Sequence, residues 1–112
     1  MTYKQVATMI AGIGLPFAYD HFDDENTPGA PPFICFYYGG SDDMAADNVN
    51  YQRIRPLTLE LYTDNKDFSL EETVEAALYG AGLVYSREET YIDSERMYMV
   101  TFSTEIIITE GE

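Results

Sequence analysis

Asp20, His21, Asp23, Asp24 and Glu25 form the run of side chains that most resembles a reactive site. Carboxylates beside an imidazole are the composition of a site for a hard or borderline cation. The spacing argues against one. A calcium loop needs a Gly at its sharp turn and a closing bidentate Glu, and neither falls where it is required. A zinc enzyme wants a second imidazole, and His21 is the single His of the chain. The expectation is a solvated acidic loop following a strand, with no metal.

Nucleophilic chemistry fares no better. A Ser–His or Cys–His pair would have to recruit His21, and no G-x-S-x-G elbow is present. The single Cys35 sits in the apolar run PFICFYY and reads as a small core residue. It excludes an internal disulfide framework and a Cys-rich zinc site. GGSDD at 39–43 lacks a following Lys or Arg to hold phosphate, so it is no nucleotide loop. The carboxylate pairs Glu71/Glu75 and Glu88/Glu89 read as exposed charge on a helix and a strand. The reading assigns no catalytic, cofactor-binding or metal residue, and no enzyme.

Composition bounds the rest. With 112 residues the chain suits one domain, expected to span 1–112. A formal charge of −14 makes it a poor general binder of nucleic acid or anionic membranes. At 46% hydrophobic and 14% aromatic it is not disordered in composition. No run approaches the roughly 18–20 apolar residues that span a bilayer. With no export signal recognised, the protein is expected to act inside the cell or in something assembled there.

Patterning then supplies the elements. Val6, Met9, Ile10 and Ile13 recur at helical spacing, with Thr2 as cap and Gly12, Gly14 and Pro16 as stops, so a helix is expected over 3–13. A short extended piece at 17–22 precedes a loop at 23–32 with three prolines. Phe33 to Tyr38 reads as a central strand. A polar loop at 39–50 is expected to be mobile, with Asp42, Asp43 and Asp47 in solvent. Leu57, Leu59 and Leu61 alternate in a strand at 51–62, where Pro56 predicts a bulge or an edge position. Ser69 and Glu72 read as a capping box before a helix over 70–81, with Leu70, Val74, Ala77, Leu78 and Ala81 as its buried stripe.

Strands at 83–92 and 96–108 close the chain around a turn at Asp93 and Ser94, and 109–112 is expected to be a loose tail. The fold class is α+β: a mostly antiparallel sheet of four to five strands with two helices packed on one face. The other face is left to Tyr62, Met97, Met99 and similar residues, and large apolar groups on an open face mark a contact surface. Seven of the ten tyrosines, at 37, 38, 51, 62, 85, 91 and 98, fall in or beside strands. Part of this set is available to an interface.

Three segments, MTYKQVATMIAGIGLPFAYDHF, LELYTDNKDFSLEETVEAAL and TYIDSERMYMVTFSTEIII, together with the element order, resemble the tail completion, or tail terminator, proteins of siphophages and prophages of Gram-positive bacteria. The resemblance runs nearly full length. It implies a ring, expected to be a hexamer, that caps the head-proximal end of the tail tube. The implied partners are further copies of itself, the tail tube protein and the head-completion or connector proteins. The implied location is the host cytoplasm during assembly and then the head–tail junction of the virion. The family offers no catalytic motif, so no active-site residue is carried over. Two alternatives stay open: another head–tail connector or head-closure subunit, and an acidic DNA mimic that blocks a nucleic-acid enzyme.

Overall fold

The computed structural model describes residues 1–25, 27–40 and 53–109. The elements are α1 (Tyr3–Ala11), β1 (Phe17–Tyr19), β2 (Phe33–Tyr38), β3 (Arg53–Thr63), α2 (Phe68–Gly80), β4 (Tyr85–Ile92) and β5 (Met97–Ile108). One sheet holds all five strands in the order β1-β2-β3-β5-β4. Only β1 and β2 run parallel. The fold is therefore α+β and mostly antiparallel, with both helices against one face.

Thr2 and Gln5 explain where α1 begins. The Thr2 hydroxyl accepts from the Gln5 amide at 3.0 Å, and the Gln5 side chain accepts from the Thr2 amide at 2.9 Å. Two otherwise orphaned donors are thus satisfied reciprocally. Val6 and Ile10 are fully buried, and Met9 and Ile13 pack beside them.

Helix α2 starts earlier than its sequence predicts. The cap is Asp67, whose carboxylate accepts from the Leu70 amide at 3.0 Å, and not Ser69. Ser69 lies inside the first turn, where its carbonyl accepts from the Thr73 hydroxyl. Asp67 and Ser69 are equally good caps by type, and Asp67 adds a negative charge at the positive end of the helix. The helix ends at Gly80, and Gly82 at φ +78° turns the chain so that the Leu83 amide donates to the Leu78 carbonyl.

Strand β3 pairs with β5 in unbroken register from Arg53↔Ile108 to Thr63↔Tyr98, so the bulge expected at Pro56 is not formed. Pro56 instead sits just past the end of β2. Its carbonyl accepts from the Gly39 amide at 2.8 Å, and its missing N–H forfeits only the last rung of that ladder. β1 is shorter than the extended piece expected at 17–22, because Asp20 turns away at φ +69°. β4 likewise begins at Tyr85, two residues later than expected.

Alternation gives the sheet two faces. Ile34 and Phe36 of β2, Leu57, Leu59 and Leu61 of β3, and Val100, Phe102, Ile106 and Ile108 of β5 are buried with Val6 and Ile10 of α1 and Val74 and Leu78 of α2. This is the core, and it lies wholly on the helix side. Of the loop expected at 39–50, residues 41–50 with the three Asp lie outside the described residues, as do Tyr51 and the tail from 110 on. Thr109 itself is held, its amide donating to the Met1 carbonyl at 3.0 Å.

Candidate functional site

Residues on the sheet face away from the helices follow from the register. Successive cross-strand rows read Phe33, Tyr62, Met99 and Thr90; then Cys35, Glu60, Thr101 and Glu88; then Tyr37, Thr58, Ser103 and Ser86. No described helix covers these rows. Phe33, Tyr62, Met97 and Met99 are half-buried; patterning placed the last three on this face, and the register adds Phe33. They gather at one end of the face, where Phe22 meets Phe33 at 5.5 Å and Phe33 stacks on Tyr62 at 5.1 Å.

The middle of this face is acidic and hydroxylated. Glu60 and Glu88 stand in one row, and the Tyr62 hydroxyl donates to Glu60 at 2.8 Å. Burial and then that hydrogen bond to Glu60 push the Tyr62 phenol well above its ordinary range. Cys35 is only 6% exposed although it points to this side. Burial first, then Glu60 and Asp20, push its thiol up to about 11. A thiol that resists ionising is a poor nucleophile, and Cys35 is buried as expected, although it lies outside the aliphatic core cluster.

The helix side holds what sequence patterning misplaced. Glu71, expected on an exposed side, is 1% exposed and sits between Lys66 and Arg87. Arg87 reaches Glu71 at 2.6 Å and Glu75 at 3.1 Å, while Lys66 bridges Glu71 and Glu89. The network ties the first turns of α2 to β4. Hydrogen bonding to Glu71 comes first in raising the Arg87 guanidinium, against burial that lowers it. For Lys66 burial lowers, and the hydrogen bonds to Glu71 and Glu89 outweigh it and raise. The Tyr85 hydroxyl donates to Glu75 at 2.6 Å and closes the group. Every carboxylate in it is matched by a cation or a hydroxyl.

The acidic run after β1 does not converge. His21 Nδ1 lies 2.9 Å from Asp20, and both side chains are exposed. Among the described residues no group of three or more His, Cys, Asp or Glu gathers as a metal set. No described helix is long and apolar enough to cross a membrane. An open groove of about 780 Å³, lined by Met1, Pro56, Val84, Tyr85, Glu105 and Ile107, marks a gap beside β5 between the start of β4 and Met1. Val84 at its rim is 90% exposed and Tyr79 nearby is 80% exposed. Among the described residues the site candidates are thus surfaces: one open sheet face and one apolar corner.

No protein-family model and no curated protein sequence matches this chain. Among solved structures, the chain is similar in fold to a chain of the virion of a native gene transfer agent particle. The TM-score is 0.56 at 18% identity, and the match covers 94% of this chain and 90% of that one. At that identity the likeness speaks for a shared fold along nearly the whole of both chains.

Proposed function

We propose that the protein is a non-enzymatic virion assembly subunit, a tail terminator ring at the head-proximal end of a phage or prophage tail tube. The observation that carries the reading is the full-length fold likeness to a chain of a gene transfer agent virion. It agrees with the resemblance of three sequence segments to tail completion proteins. The open sheet face is consistent with both, since half-buried Phe33, Tyr62, Met97 and Met99 leave apolar surface that another protein surface can cover. A cyclic ring needs heterologous contacts, one patch against a different patch on the next subunit.

At −14 per subunit the copies repel at long range. Assembly is therefore expected to improve with salt, which screens exposed charges beyond about 10 Å at 0.1 M. Electron microscopy of tails made with and without the protein tests the reading. Loss of the protein should give tails of abnormal length that do not join heads. Tails of normal length that still join heads would refute it. A head-closure subunit shares the virion context, and tails of normal length that fail only at joining would select that role instead.

A further inference from the structure

Strand β4 is an edge of the sheet, and its sequence is self-complementary when set against its own reverse: like meets like at three of the four mirrored pairs and opposite charges meet at the fourth. About Glu88 as centre, Arg87 mirrors Glu89, Ser86 mirrors Thr90, Tyr85 mirrors Tyr91 and Val84 mirrors Ile92. The register fixes which backbone groups are free. Pro56 points its carbonyl to the β2 side, so Leu57 faces β5 and its partner Thr104 faces back. Ser103 and Ile107 then face the β4 side, in agreement with the Met1 amine donating to the Ile107 carbonyl at 2.8 Å. Ser86, paired with Ser103, spends its backbone groups on β5. The amides and carbonyls of Tyr85, Arg87, Glu89 and Tyr91 therefore point outward, along an edge whose residues 86–91 are all exposed.

We infer that β4 is a self-complementary edge that pairs antiparallel with β4 of a second copy, with Glu88 on the twofold axis. In that register outward-facing positions meet outward-facing positions, as a hydrogen-bonded ladder requires. Arg87 lies opposite Glu89 twice, Tyr85 opposite Tyr91 twice, and Ser86 opposite Thr90 twice. Opposite charges and aromatic pairs directly across strands are favourable. Moving the centre to Arg87 or to Glu89 would also set one charge against itself and would in addition break both Arg–Glu pairs, so both neighbouring registers lose. The one like-charge contact kept is Glu88 with itself. The axis runs through the sheet, so both open faces look the same way. Such a pair closes on itself and caps the edge without adding a third copy. It is a form of the free subunit, and it does not depend on the tail-terminator reading.

Cross-linking of the full chain tests the register. Residues meeting on the axis as a non-hydrogen-bonded pair have Cα atoms about 4.5 Å apart, within disulfide reach. Under mild oxidation Glu88→Cys should convert most of the protein to a covalent dimer. Ser86→Cys, which faces Thr90 and not itself, should cross-link several-fold less. In light scattering, Glu88→Gln should tighten the dimer several-fold, and Glu72→Gln on the exposed side of α2 should leave it unchanged. Both sites are exposed, so the variants should keep the circular dichroism of the parent. A monomer at the highest soluble concentration would overturn the inference. So would a dimer that cross-links equally at both positions or at neither, since it would then use another surface or another register.

Discussion

The two faces of this one sheet obey different rules. On the helix side, every second residue of β3 and β5 is sunk into aliphatic contact, from Leu57 to Leu61 and from Val100 to Ile108. On the open side the same strands place Thr58, Glu60, Tyr62, Met99, Thr101 and Ser103 in the alternate positions. The first face is specified by burial and the second is left free to be specified by a partner. Stability should therefore reside on one face and assembly on the other. The edge strands repeat the contrast: β1 has three residues, clamped where Tyr19 meets Phe36 at 5.3 Å, whereas β4 has eight, of which 86–91 are all exposed.

The largest expected effect lies in the covered face. Phe102→Ala should cost about 3–5 kcal/mol in chemical denaturation, because Phe102 is fully buried beneath both Tyr85 and Arg87. A loss below about 1 kcal/mol would mean that the face collapses around the gap. Next comes the ion network at the seam between α2 and β4. Glu71→Gln should cost about 2 kcal/mol, since a buried carboxylate is lost while Lys66 and Arg87 retain Glu89 and Glu75.

The alkaline limb of stability should be steep. Burial, then Tyr3 and Tyr19, push the Tyr38 phenol from 10.0 up to about 12, and Lys66 is raised above 10.5. For groups raised in the fold, stability is fully present below the unfolded value and is lost as pH climbs through the folded one. Unfolding free energy should therefore fall between pH 10 and about 12, and Tyr38→Phe should flatten part of that fall. An unchanged slope in the variant would assign the loss to other raised groups, among them Lys66, Tyr62 and Cys35.

Much of this architecture was legible in the residues. Thr2 and the spacing of Val6, Met9, Ile10 and Ile13 announce α1, and the even-numbered run from Val100 to Ile108 announces β5, because both signals are local and periodic. Strand β1 was misjudged in length because three residues carry no period, and its parallel pairing depends on β2. Glu71 was misplaced for a deeper reason. A Glu flanking an apolar stripe reads as exposed, and only tertiary folding brings Arg87, sixteen residues on, against it. The signal that hinted at it was scarcity: with six cations against twenty acids, Lys66 and Arg87 were the ones near both an amphipathic helix and a strand. The open face was visible as an excess of apolar residues over helices, while its occupant is not written in the chain.

The smallest expected effect on the fold is the one that bears most on function. Met99→Asp, in the open-face row of Phe33 and Tyr62, should change folding stability by about 1 kcal/mol or less in denaturant titration. The decisive measurement is complementation of a tail-assembly system with this variant, scored by electron microscopy of the particles. The account predicts a folded subunit that is absent from tails and fails to restore joining to heads. Normal incorporation and normal joined particles with Met99→Asp would contradict the assignment of the open face as the assembly surface.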